Sequence, residues 1–165
     1  LHDLSKYSPQ EFIIGVKYYQ GNRSPNSAEK LEKGYSSAWL HHKGRNKHHF
    51  EYWIDYGINM DDGLMGMKMP LKYVLEMCCD RIAASKVYSG EDYTTAVPWN
   101  YYLKRKDYMD MHKDTRALLE KILLINKNEG LDRGIYYKNK KDILNITKEH
   151  KVKKPYNFFM FSILR

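Results

Sequence analysis

The sequence predicts an all-α fold. Apolar residues recur at three- and four-residue spacing through most of the chain, and helix start signals stand ahead of those stretches. No segment alternates regularly enough to read as a strand. The length, 165 residues, allows a real core, and a composition 42% hydrophobic and 14% aromatic is that of a globular chain.

Taken in order, Ser8-Pro9-Gln10-Glu11 has the form of a capping box, with Ser8 as N-cap, Pro9 at the first helical position and Glu11 reaching back. The helix is expected from Pro9 to about Tyr19, stopping near Gly21, with Phe12, Val16 and Tyr19 as its buried face. A loop over 21–25 leads to a short helix, Ala28 to Lys33, ended by Gly34. Tyr35 to Lys43 reads as helix, with Trp39 and Leu40 apolar and Gly44 as C-cap. Asn46 is placed to N-cap a second helix carrying His48, His49, Tyr52 and Trp53. Residues 56–68, with three glycines and two aspartates, read as a mobile loop.

Helix resumes at Met69-Pro70 and runs to about Tyr88, offering Tyr73, Val74, Met77, Cys78 and Ala84 to the core. Pro98 opens another helix through Tyr108, and Asp114 caps one containing Leu118, Leu119, Ile122 and Leu123. Residues 130–134 form a linker, followed by a basic tail with helical patterns near Ile143 and from Pro155 to Leu164. The expected organisation is a helical domain over residues 1–126 and a basic helical C-terminal segment over 127–165.

The formal net charge is +8 and the isoelectric point about 9.3. That balance favours anionic partners: nucleotides, phosphate esters or nucleic acid. No run of apolar residues is long enough for a transmembrane helix, and no signal peptide is visible. No membrane partner is expected, and an oligomer is compatible with the sequence. Cys78 and Cys79 are adjacent, which disfavours a structural disulfide between them and suggests a reducing, cytoplasmic setting. The chain begins without Met and reads as a fragment, or as a chain whose natural start lies elsewhere.

The stretch richest in chemistry is His41-His42-Lys43-Gly44-Arg45-Asn46-Lys47-His48-His49, with four of the seven histidines. Its expected partner is His2-Asp3-Leu4-Ser5-Lys6. Histidine is the commonest protein metal ligand and Asp supplies a hard oxygen beside it. The plain reading of the same residues is an exposed basic loop. On a helix Lys6 would share a face with His2 and Asp3 and offer a point charge to a substrate oxygen. Arg45 could clamp a phosphate bidentately. His42 and His49 stand seven residues apart, as do His41 and His48, but Gly44 and Asn46 argue against one unbroken helix. His41 and His48 could equally pack or cap. Glu76 and Asp80 lie four apart on one helix, either as a metal ligand with the carboxylate that orients it or as a solvated face. Cys78 and Cys79 read as core rather than as zinc ligands, and His112 either reaches the pocket or helps cap a helix.

Three motifs carry a resemblance: His-Asp-Leu-Ser-Lys-Tyr-Ser-Pro-x-Glu-Phe, Ala-Trp-Leu-His-His-Lys-Gly-Arg-Asn-x-His-His-x-Glu-Tyr-Trp and Met-Pro-x-Lys-Tyr-x-x-Glu-Met-x-x-Asp. Over roughly residues 1 to 120 the chain resembles a bacterial and phage family of no assigned activity. That family is similar to HD-domain metal-dependent phosphohydrolases. The resemblance implies an HD-like helical bundle. It matches His2 and Asp3 to the His-Asp pair, His42, His48 and His49 to the middle histidines, and Asp80 to the final Asp. Lys6 resembles the Lys that follows His-Asp in some HD phosphodiesterases. The first His of the HD pattern should precede His2, and only Leu1 does.

The implied function is metal-dependent hydrolysis of a phosphate ester, such as a nucleotide or cyclic dinucleotide. One or two divalent ions (Fe, Mn, Zn or Mg) would be held by His2, Asp3, His42, His48, His49 and Asp80. Lys6 and Arg45 would hold an anionic, phosphorylated substrate, and Glu76 would orient a ligand. A di-iron HD-type oxygenase is the first alternative. The second is a non-catalytic module that binds a nucleotide or nucleic acid around a structural metal. His150, followed by an apolar run, resembles the missing first element of the pattern. The tail could therefore pack on the N-terminal site, by permutation or from a neighbouring chain, with His150 as the missing ligand. The competing reading is an unrelated basic tail.

Overall fold

In a computed structural model of the chain, residues 2–21 and 23–130 are described; the tail expectations, including His150, lie outside them. The described residues are mostly helical, in the order α1 (Pro9–Lys17), α2 (Pro25–Lys33), α3 (Ser37–Lys43), β1 (Ile54–Tyr56), β2 (Leu64–Gly66), α4 (Leu71–Ser89), α5 (Val97–Leu103) and α6 (Lys113–Glu129). They fall into two compact units that part between Trp53 and Ile54.

In the first unit α1 packs against α2 and α3. Pro9 and Pro25 each stand in the first turn of a helix, where the missing N–H costs nothing. Gly34 ends α2 with φ 80°, a conformation suited to glycine. Buried Glu29 then ties α2 to the start of α3. It accepts hydrogen bonds from Ser36 Oγ (2.7 Å), Ser37 Oγ (2.6 Å), the Ala38 N–H (3.4 Å) and Lys33 Nζ (3.1 Å). Ser36 is also the N-cap of α3, accepting from the Trp39 N–H at 3.0 Å. Burial pushes the Glu29 carboxyl up, but these donors more than offset it, and its pKa falls to about 2.

Three expectations about this unit are corrected. Phe12, Val16 and Tyr19 are exposed; α1 instead turns Glu11 inward, with Tyr18 buried just past its end. Glu11 does not complete a capping box, because its carboxylate bonds histidines of α3. Asn46 caps no helix: its amide bonds the His42 carbonyl (2.9 Å) and Ser5 Oγ (2.7 Å). His48 and His49 therefore sit on a turn, followed only by a 3-10 turn over Phe50–Trp53.

In the second unit α4, α5 and α6 pack on one another. Val74, Met77, Cys78 and Ile82 of α4 are buried, as are Leu118, Leu119, Ile122 and Leu123 of α6, each set at helical spacing. Tyr102 of α5 is fully buried, its hydroxyl donating to Glu120 at 2.7 Å. His112, rather than Asp114, caps α6, its Nδ1 accepting from the Asp114 N–H at 3.1 Å. The Cys78 and Cys79 thiols are pushed up by burial, as befits core residues.

The segment expected as a loop over 56–68 closes instead as an antiparallel hairpin pairing Ile54 with Gly66, Asp55 with Met65 and Tyr56 with Leu64. Its turn is held by a capping box between Asn59 and Asp62. A side chain at Gly66 would meet the backbone of Asp110, Met111 and His112. Among the described residues no helix is long and apolar enough to cross a membrane.

Candidate metal centre

The site is built in the first unit from three short segments. Asp3 precedes a 3-10 turn over Leu4–Tyr7, His41 and His42 close α3, and His48 and His49 occupy the turn beyond it. Asp3 holds φ 55° and ψ 32°, and is the one non-glycine residue with positive φ among the described residues. Aspartate tolerates that left-handed conformation better than most residues, at a cost of about 1–2 kcal/mol. The conformation makes Asp3 a residue held in place by its surroundings.

Asp3 is 7% exposed. Its Oδ1 receives no hydrogen bond, yet His48 Nε2 stands 3.3 Å and His42 Nε2 3.5 Å from it. Two ligands at about 2.0–2.2 Å from a tetrahedral ion are about 3.4 Å apart. The spacing is thus that of donors around a shared cation, and too long for good hydrogen bonds. Asp3, His42, His48 and His49 each bring one donor atom within 4.8 Å of all the others.

Asp3 Oδ2 faces Lys6 Nζ at 2.6 Å and His2 Nε2 at 3.3 Å. Burial raises the Asp3 carboxyl, but the Lys6 hydrogen bond and the charges of Lys6, His2 and His42 outweigh it and hold the group below the usual range. The imidazoles touch: His2 on His48 with ring centroids 4.5 Å apart, His48 on His49 at 4.2 Å and His42 on His49 at 4.7 Å. Trp39 closes one side, edge-on to His49 at 4.9 Å and stacked on His42 at 5.8 Å. Trp53 Nε1 donates to the Lys47 carbonyl at 2.8 Å and so braces the turn that carries His48 and His49.

The structure thus brings together His2, Asp3, Lys6, His42, His48 and His49, all named from sequence. Arg45 is exposed on the turn after α3. Glu76 and Asp80 are half-buried, one turn apart on α4 of the second unit. His41 bonds Glu11, and His112 is an N-cap.

Sequence reasoning missed Glu11, Ser5 and Asn46. Glu11 Oε1 lies 2.7 Å from His41 Nδ1, and Oε2 lies 2.8 Å from His42 Nδ1. Burial raises the Glu11 carboxyl, and hydrogen bonds from His41, Ser5 and His42 more than reverse that, so it stays ionised. Metal-bound histidines commonly donate their other N–H to a carboxylate. The sequence signal for Glu11 served two readings, and the local one, a capping box, took it.

A buried carboxylate with three imidazoles is a donor set suited to Zn, Fe or Mn. No curated protein and no solved structure matches the chain significantly. Residues 1–125 match a protein family, and the chain belongs to it: DUF5662, described as a family of unknown function.

Proposed function

We propose that the chain is a metal-dependent phosphohydrolase of the HD type, acting on a phosphate ester such as a nucleotide or cyclic dinucleotide. One observation carries the reading: Asp3 Oδ1, buried and without a hydrogen bond, faces two imidazole nitrogens at 3.3 and 3.5 Å. Asp3, His42, His48 and His49 hold one divalent ion, with His2 beside Asp3 available to the same ion or a second. A divalent ion there supplies a polarised water and a Lewis acid for a phosphoryl oxygen. Lys6, whose side chain is 63% exposed beside Asp3, contributes a point charge for a phosphate oxygen, and Arg45 a planar fork of donors.

The test is metal analysis of protein purified without chelator, followed by a panel of phosphoesters. Stoichiometric divalent metal is expected, with turnover that chelation abolishes. Asp3→Asn keeps a residue that accepts the left-handed backbone and removes the anionic ligand. It is expected to fold and to lose both metal and turnover. Iron with an oxygen-dependent absorption change and no hydrolysis would replace this reading by an oxygenase. Salt-dependent oligonucleotide binding without turnover would replace it by a binding module.

A further inference from the structure

The metal reading needs His42 to present a lone pair, and the role of Glu11 argued from it rests on that reading. A carboxylate only accepts hydrogen bonds, so each imidazole atom on Glu11 must carry a proton. Those atoms are Nδ1 of His41, at 2.7 Å, and Nδ1 of His42, at 2.8 Å. The surrounding network agrees. Asn46 Nδ2 and Ser5 Oγ also stand 3.1 and 3.2 Å from His42 Nδ1, but the two Asn46 hydrogens have shorter acceptors in the His42 carbonyl, at 2.9 Å, and Ser5 Oγ, at 2.7 Å. The Ser5 hydroxyl proton is then left to donate to Glu11. With Nδ1 committed to Glu11, Nε2 is the His42 atom left to face Asp3 Oδ1, 3.5 Å away, and the one that offers a lone pair when a metal binds. An oxygen and a nitrogen donor facing each other at that distance can share a cation between them.

We infer that Glu11 is a shared positioning residue of the metal centre: it grips His41 and His42 by their Nδ1 atoms and thereby fixes His42 Nε2 as the ligating atom. His41 is the second claimant on that carboxylate; the donors that converge with Asp3 are those of His42, His48 and His49. Glutamine shows why the charge matters. Each ring sits on its own carboxylate oxygen, His41 on Oε1 and His42 on Oε2, so Glu11→Gln sets an N–H donor against one of them. One imidazole must then lose its bond or flip to the tautomer with Nε2 protonated, which cannot bind metal through Nε2.

The experiment titrates full-length apoprotein with Co2+, read by its visible absorption bands, and with Zn2+ in competition with a chromophoric chelator. Glu11→Gln is expected to weaken both by about 10- to 100-fold in an apoprotein that is less stable but still folded. His41→Phe is expected to bind as wild type. The double variant, Glu11→Gln with His41→Phe, leaves the new amide oxygen only His42 to accept from, and is expected to regain most of the lost affinity. Glu11→Gln binding as tightly as wild type would overturn the inference while leaving the metal reading intact. So would a loss the double variant fails to restore, or an equal loss in His41→Phe, which would make His41 a ligand. Should Glu11→Gln alone unfold, the tautomer is read from the histidine ring nitrogens by NMR of wild-type apoprotein, and His42 protonated at Nε2 rather than Nδ1 would overturn the inference. Wild-type protein that binds neither ion would overturn the metal reading itself.

Discussion

Asp3 and Lys6 divide the work of the site at the level of single atoms. Oδ1 of Asp3 faces the imidazoles, while Oδ2 is held at 2.6 Å by the Lys6 ammonium. Lys6 therefore neutralises the oxygen that does not face His42 and His48, and on the proposed reading leaves the other for a metal. Removing it takes a competing cation away from the site and leaves the donor set whole. On the proposed reading Lys6→Ala is expected to keep metal at wild-type stoichiometry and to weaken phosphoester turnover. A lost charge-assisted contact costs on the order of 1.5–3 kcal/mol, which is a tenfold or larger fall in kcat/KM. Metal analysis beside steady-state kinetics checks it. Metal lost as completely as in Asp3→Asn would make Lys6 a structural residue and remove the phosphate argument.

At the scale of elements, the site depends on where α3 begins, and Glu29 sets that start. Its folded pKa, about 2, lies below the ordinary 4.5, so it adds stability that is complete above the ordinary value. That contribution is lost as pH falls from about 4.5 toward 2. Glu29→Gln should destabilise the first unit at neutral pH by on the order of 2–3 kcal/mol and flatten its loss of stability between those pH values. Denaturation followed by the fluorescence of Trp39 and Trp53 checks both effects; an unchanged acid limb would show that Glu29 is not the clasp. The helices themselves were legible in sequence, because Pro, Gly and apolar spacing are local signals: α2, α4 and α6 stand close to their expected bounds. What was not legible depended on tertiary contacts. Glu11 and Asn46 are each suited to capping, and each is drawn away by His42. Turning Glu11 inward leaves Phe12 and Val16 on the exposed side of α1. The hairpin was hidden by its glycines, one of which, Gly66, is required by the backbone of residues 110–112.

For the whole molecule, the net charge of +8 that suggested an anionic partner is unevenly spread. Nine of the 28 basic residues and three of the 20 acidic ones follow Gly130, so most of the excess belongs to the last 35 residues. The candidate metal centre has its own, smaller set of cations in Lys6, Lys43, Arg45 and Lys47. The composition therefore mixes two sets of cations, a local one beside the candidate centre and a diffuse one in the last 35 residues. Exchanging Lys138, Lys140, Lys141, Lys151, Lys153 and Lys154 for Gln in the full chain separates them. If the tail's lysines serve a polyanion alone, the variant keeps its metal and turns over a small phosphoester within about twofold of wild type. Its affinity for a single-stranded oligonucleotide should fall, and the slope of log affinity on log salt should shrink by about 0.7 for each lysine that had neutralised a phosphate. A variant that loses small-substrate turnover along with oligonucleotide binding would place the tail's lysines in the active site itself, and the substrate would then have to be sought among polyanions.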